Sequence, residues 1–338
     1  MTTFLLSKLA WGIPLFLILA IVIFYFTASS GSLSADAYHQ IRQYEAQPLP
    51  PSDTLKVMTY NLGYLSGMTN NLAVPRSSDL FVDNLARSIQ LLQSEQPHLI
   101  GFQEIDYDAK RSLRVQQLDE LAHASGYPSA FQSVNWDKRY VPFPYWPPRH
   151  HFGKMLSGEA ILAHGQLKMD QVITLPKPVN APFYYNAFYL DRLIQVADWT
   201  IAGRQVKVMN LHLEAFDQET RLAHGKEVKR LYEQYADQGP VILMGDFNSM
   251  PAILEGEDAM DVIMSANNIA SAIPDAVYQA DPDKYFTFSS GSPEVMIDYI
   301  LYNPSHITPI AARVVNEAGQ ISDHLPVTFQ FTFKEPLP

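Results

Sequence analysis

Short runs of large apolar residues recur along the chain, each next to a polar group able to bind a cation, a phosphate or a proton. Residues 55–60 run into Asn61, 99–102 into Gln103 and Glu104, and 206–211 into His212. Residues 241–244 run into Gly245, Asp246, Phe247 and Asn248, 295–297 precede Asp298, and Ser322-Asp323-His324 leads into 325–331. Runs of this length are too short for helices, and Gly239-Pro240 blocks a helix entering the 241–244 run. They predict strands, that of 241–244 buried on both faces with its polar groups at its end. Alone, Asp246 could equally start a turn and Asn248 cap a helix. Repetition favours presentation: if the ends converge, they make a site of hard oxygens and imidazoles suited to a divalent cation and a phosphate.

Between these runs the periodicity changes to 3.6. Ser77 or Ser78 can cap a helix over 79–94, with Leu80, Leu85, Ile89 and Leu92 as its apolar stripe and Gln96-Pro97 as its stop. Placed between the Asn61 and Glu104 strands, it gives a β-α-β unit and an α/β class. Further helices are expected over 116–124, 217–236 and 257–265. Residues 131–154, dense in aromatics and prolines, read as a long loop whose rings pack onto the domain or, mixed with Lys138, Arg139, Arg149 and Lys154, stack on a substrate or sit at a lipid headgroup layer. His150 and His151 stand in it, and 63–71 forms a polar loop beside Asn61.

Six short motifs carry a family resemblance. TYN (59–61), FQE (102–104), NLHL (210–213), GDFN (245–248), IDYIL (297–301) and SDHLPV (322–327), in this order, resemble the endonuclease/exonuclease/phosphatase (DNase I-like) superfamily over roughly residues 55–333. The resemblance implies a four-layered α/β sandwich, two packed mixed β-sheets flanked by helices, and metal-assisted phosphoester hydrolysis by in-line water attack. It implies that Asp246 orients or deprotonates the water, that Asn248 holds a phosphate oxygen or the same water, and that His212 donates to the phosphate. Asp298 and His324 follow the logic of an imidazole oriented by a carboxylate. Glu104 is the leading metal ligand, with Asn61 as its amide neighbour and Asp323 as a second contact. Oxygen ligands without thiolates select Mg²⁺, with Mn²⁺ as substitute. Asn210 reads as structural. The chain departs from the family pattern at Glu159 and at Ala163-His164, which puts transfer of substrate in doubt more than the chemistry; Arg192 matches a frequent arginine of unassigned role.

Residues 9–26 are almost wholly apolar with Lys8 before them, close to the ~20 residues that cross a bilayer. The expected organisation is a transmembrane anchor over 1–28, a Ser/Pro-rich linker over 29–54 and the hydrolase domain over 55–334. The positive-inside rule favours a cytoplasmic N-terminus and a catalytic domain outside, periplasmic or extracellular. A cleaved signal peptide, with Ala28-Ser29-Ser30 as the processing region, is the alternative.

The 338 residues contain no cysteine and carry a formal net charge of −11, so disulfides and thiolate metal sites are excluded. No basic block supplies the footprint of a duplex-binding surface. The charge and the anchor therefore favour a lipid headgroup or small phosphoester over nucleic acid as substrate. A nuclease, and a non-catalytic binding module on the same fold, are the competing readings.

Overall fold

The computed structural model describes residues 2–45, 47, 52–70, 72–254, 256 and 258–334. In chain order its strands are β1 (His39–Gln43), β2 (Leu55–Asn61), β3 (Leu99–Asp106), β4 (Ser129–Val141), β5 (Gly153–Ala163), β6 (Gln166–Leu175) and β7 (Arg192–Ile201). They continue as β8 (Arg204–His212), β9 (Val241–Asp246), β10 (Ala270–Ser271), β11 (Asp298–Tyr302), β12 (Ile307–Val314) and β13 (Val327–Phe333). One sheet runs β1-β4-β5-β3-β2-β13-β12 and the other β10-β11-β9-β8-β7-β6. Each is mixed, because β2 with β3 and β8 with β9 are parallel and the remaining pairs are antiparallel. Their apolar faces close on one continuous core that includes Val57, Phe102, Ile161, Trp199, Leu211, Met244 and Phe329. The α-helices are α1 (Thr2–Ser29), α2 (Ser78–Glu95), α3 (Gln117–Ser125), α4 (Phe183–Phe188), α5 (Gln218–Ala236), α6 (Ala259–Met264) and α7 (Asp275–Ala280). Two packed mixed sheets flanked by helices is the expected sandwich.

Helix ends follow the local chemistry. The Ser77 hydroxyl accepts from the Leu80 N–H at the start of α2, and the Asp217 carboxylate accepts from the Thr220 N–H at the start of α5. The buried face of α2 is turned slightly from the predicted stripe: Phe81, Asn84, Ser88, Leu91 and Leu92 are buried, and Leu85 and Ile89 flank them. Glu257, Asn71 and residues 46 and 48–51 of the expected linker lie outside the described residues.

One expectation needs correction. The stretch 131–154 is not one long loop, since its first part belongs to the thirteen-residue β4, which pairs with both β1 and β5. All four prolines of the stretch, Pro142, Pro144, Pro147 and Pro148, follow Val141, so they end the strand without interrupting its ladder. Within the expected linker, residues 32–43 are also held to the domain. After α1 the chain folds onto the domain, and β1 becomes an edge strand of the first sheet. The Asp137 carboxylate on β4 accepts from the Ser32 and Leu33 N–H groups, the Ser32 hydroxyl and the Tyr38 hydroxyl. Of α1 itself, residues 12–29 are long and apolar enough to cross a membrane, with mean hydropathy 2.3 and 6% of that window buried against the rest of the chain.

Between the sheets, directly beneath the rim where β2, β3, β8 and β9 end, lies a polar weld. Asn210 on β8 accepts from Gln103 Nε2 at 2.6 Å and donates to the Phe102 carbonyl at 3.1 Å and to Gln195 Oε1 at 2.9 Å. Gln195 donates in turn to the Phe131 carbonyl and the Ser133 hydroxyl across the interface. Gly101 leaves the room for this, because a Cβ there would stand 2.4 Å from Asn210 Oδ1. All these amides are buried, so deleting one strands its partners at roughly 1–3 kcal/mol each. Asn210→Leu should therefore lower unfolding free energy by about 3 kcal/mol or more in a denaturant titration. A change below about 1 kcal/mol would remove the weld from the account.

Candidate active site

Register brings the predicted polar groups to one rim. His212 is the partner of Asp246 across the parallel β8–β9 pair, and Asp298 is the partner of Asp246 across the antiparallel β9–β11 pair. In the other sheet Asn61 ends β2 beside Gln103 of β3, and Asp323 and His324 lie in the turn entering β13, which runs antiparallel to β2. Gly245 is needed for the close approach of β9 to β8: its φ is 149°, and a Cβ would meet the Leu211 carbonyl oxygen at 2.0 Å.

Glu104 reaches the site by a different route from the strand end expected of it. It lies inside β3 at a bulge, where the ladder to β5 shifts between Phe102 and Ile105, and its φ is +52°. A bulge re-aims a side chain while the strand continues. Asn248 is also left-handed, at φ +49°, and its N–H donates to Asp246 Oδ1 at 2.9 Å in a tight turn. Asparagine tolerates the left-handed region, whereas at Glu104 it is strain that the surrounding strands hold in place.

Asp246 is the hub. Its Oδ2 accepts from Asn61 Nδ2 at 2.8 Å and faces His212 Nε2 at 3.3 Å and His324 Nε2 at 3.7 Å. Burial, reinforced by the neighbouring Asp298 carboxylate, pushes its pKa up to about 7. His324 Nδ1 lies 2.9 Å from Asp298 Oδ2, which fixes the ring orientation. Burial pulls that imidazole down, but Asp298 and Asp246 outweigh it and hold the ring well above its ordinary pKa. His212 moves the other way, lowered by burial and by the charges of Arg192 and His324, so its ring stays neutral. One carboxylate thus stands between a charged and a neutral imidazole.

A second group of oxygens faces this hub across a cavity of about 590 Å³, lined by Glu104, Asn70, Asp323, Asn248, His212 and His324 among others. Asn70 Nδ2 donates to Glu104 Oε2 at 2.8 Å and to Asp323 Oδ1 at 3.3 Å, bridging the two carboxylates. Burial, and after it the Asp323 charge, raise the Glu104 pKa. Asp246, Asp298 and His324 also have ligand atoms within 4.8 Å of one another. The donor set, hard oxygens with imidazole, fits a divalent cation. Asn61 Oδ1 accepts from the Gly63 N–H, so that amide orients the turn as well as Asp246.

The chain here matches a known family profile over residues 58–324, that of the Endonuclease/Exonuclease/phosphatase family. The chain belongs to the endonuclease/exonuclease/phosphatase family. Family members are hydrolases of phosphoester bonds, typically dependent on a divalent metal, and the buried Asp246-Asp298-His324 group is present here. Solved structures share the fold. An endonuclease/exonuclease/phosphatase from Beutenbergia cavernae is 20% identical over 83% of this chain and 72% of its own, with a TM-score of 0.59. The Bacteroides thetaiotaomicron mannosyl-6-phosphatase is 19% identical over 82% of this chain and 100% of its own, with a TM-score of 0.57. A humanized D. rerio TDP2 is 14% identical over 83% of this chain and 100% of its own, also at 0.57. No curated protein matches the chain.

Several residues at the site carried little sequence signal. Arg192 is buried at the start of β7, donates to the Tyr189 hydroxyl at 2.9 Å and lies 3.7 Å from Glu214. Among the described residues its Nε and Nη1 have no hydrogen-bond partner, and neither does Nδ1 of His212. Glu214, two residues after His212, was the available hint. Asn70 and Tyr64, from the segment that follows Asn61, line the cavity. His150 and His151 do not line it: they bond the Ala73 carbonyl and the Tyr140 hydroxyl. Glu159, the departure from the family pattern, is buried within β5 beneath the site, and burial pushes its pKa well above the carboxylate range.

Asp246→Ala and His324→Ala should each reduce turnover of a phosphodiester by about 100-fold or more, with an unchanged circular dichroism spectrum. Near-normal turnover in either variant contradicts the assignment.

Proposed function

We propose that the chain is a membrane-tethered, Mg²⁺-dependent phosphoesterase that hydrolyses phosphodiesters in preference to monoesters. The observation that carries this reading is the position of Asp246, held by Asn61 and Asn248 and facing one charged and one neutral imidazole at the end of the cavity. A carboxylate with a pKa near neutrality is matched to accepting a proton from water. In the proposed step the water oxygen bonds to phosphorus in line with the leaving oxygen and its proton passes to Asp246; the ester P–O bond breaks with its electron pair on the leaving oxygen, which takes a proton from solvent while Asp246 returns its own. His324, charged and oriented by Asp298, stabilises the charge that gathers on the phosphoryl oxygens. Arg192, through Nη1, and the neutral His212 supply further hydrogen bonds to that group, and Asn248 holds an oxygen or the water.

Glu104 and Asp323, with Asn61 beside them, would hold Mg²⁺ or, in substitution, Mn²⁺. The ion, when bound, neutralises charge on the nonbridging oxygens. Glu104, His212, Asp246, Asn248 and His324 lining one cavity, with Asn61 bonded to Asp246 and Asp298 to His324 behind them, support catalysis over a binding module. The acidic net charge supports lipid headgroups or small esters over nucleic acid.

Membrane tethering by α1 is supported by its apolarity and by its attachment. Ala28, in the region where a signal peptidase would cut, is 4% exposed. The carboxylate of Asp137 grips the residues that follow. A cytoplasmic N-terminus with the hydrolase outside remains the proposed orientation, from Lys8.

EDTA should abolish hydrolysis of bis-p-nitrophenyl phosphate by the full-length protein, and Mg²⁺ or Mn²⁺ should restore it. Glu104→Gln should raise the metal concentration needed and lower kcat by roughly 100-fold. Activity that survives EDTA, or a Glu104→Gln variant indistinguishable from the parent, would overturn the reading. DNA hydrolysis that weakens steeply with salt would favour the nuclease.

A further inference from the structure

The junction between α1 and the domain brings a membrane span into contact with the rim of the site. Tyr25, in the last two turns of α1, packs edge-on against Phe183 at 5.8 Å and Phe188 at 6.0 Å between ring centroids. Phe188 also lines the cavity that holds Glu104, Asp246 and His324. Phe24 packs on Tyr140 of β4 in the same way. Because the Asp137 carboxylate fixes the chain immediately after the helix, the domain cannot swing away on a tether.

Depth follows from length. The apolar run 9–26, at ~1.5 Å per residue, spans about 27 Å, close to the ~30 Å of a bilayer's hydrocarbon core. Tyr25 and Phe26 then lie at its boundary, and α4, which touches Tyr25, lies at the same level. Around α4 and the neighbouring loop that follows β4, large rings stand open to solvent: Phe183 is 74% exposed, Tyr184 52%, Tyr145 65% and Trp146 78%. Soluble surfaces rarely expose such a group, whereas Trp and Tyr are the residues of the membrane interface. Arg139 and Arg149, both exposed near these rings in sequence, add cations that suit an anionic headgroup layer.

We propose that this aromatic rim seats on the bilayer that α1 enters, so that the cavity opens at the headgroup layer and takes a phosphoester lipid presented there. The inference rests on the phosphoesterase reading for its substrate, and on α1 and the rim alone for its docking.

The cysteine-free sequence allows a test by single labels on the full-length protein in vesicles of phosphatidylcholine, phosphatidylglycerol and sphingomyelin. A fluorophore on Trp146→Cys or Phe183→Cys should be quenched by doxyl-labelled lipid and shielded from iodide. The same label on Ile310→Cys, on β12 at the far end of the sheet from β4, should behave in the opposite way. Labels at 146 and 183 as open to iodide as the label at 310 would overturn the docking. Neither Trp146 nor Phe183 lines the cavity. The double variant Trp146→Ser, Phe183→Ser should therefore keep its turnover of bis-p-nitrophenyl phosphate and lose about tenfold on vesicle lipid. Equal loss on both substrates, or no hydrolysis of vesicle lipid by a parent protein that cleaves the soluble ester, would overturn the lipid substrate. If the parent cleaves neither, the phosphoesterase reading itself has failed, and the labels still decide the docking.

Discussion

The buried hydrogen bonds of Asn210 to Gln103, Phe102 and Gln195 set the relation between the two sheets, and the site inherits its geometry from that relation. Apolar side chains give most of the attraction between the layers, but their contacts are tolerant of small slides. Hydrogen bonds are directional, and a buried amide left without partners is costly, so the weld selects one register of sheet on sheet. Asn61 and Glu104 come from one sheet, and His212, Asp246 and Asp298 from the other. A displacement of an ångström between the layers would separate the Asn61 amide from Asp246.

Electrostatics at the rim divide into two halves with different tasks. Around Asp246, opposed shifts leave one imidazole charged and one neutral, and the carboxylate between them near its titration point. Around Glu104, two carboxylates share a single amide donor. Like charges so close repel, and under the proposed reading a divalent ion would relieve that repulsion. Stability is held back at the rim and supplied by the core and the weld below it. The attachment of α1 extends the arrangement outward, since the ring of Phe188 touches both the helix and the cavity.

Much of this was legible in the sequence, and the reason is geometric. Parallel pairing of β2 with β3 and β8 with β9 places residues at the ends of those apolar runs on the same rim, so Asn61, His212 and Asp246 could be grouped from pattern alone. The order of the six motifs then identified the fold. What escaped was decided by distant partners or by local irregularity. The bulge that turns Glu104 has no signature in FQE. The strand at 129–141 was hidden by averaging its composition with the prolines beyond Val141. The Ser-rich stretch after α1 reads as a linker until Asp137, more than a hundred residues away, is seen to hold it. Arg192 matched a frequent arginine, but its role was hidden because Glu214, more than twenty residues on, is brought to it only by folding.

The convergence of both sheets on a hard cation is the claim on which the chemistry rests. It is tested most directly by the anomalous scattering of Mn²⁺ soaked into crystals of the protein. The account predicts a peak in the cavity at bonding distance from the Glu104 carboxylate, with Asp323 or Asn61 among its neighbours. An empty cavity at saturating Mn²⁺, or a peak away from Glu104, would contradict it.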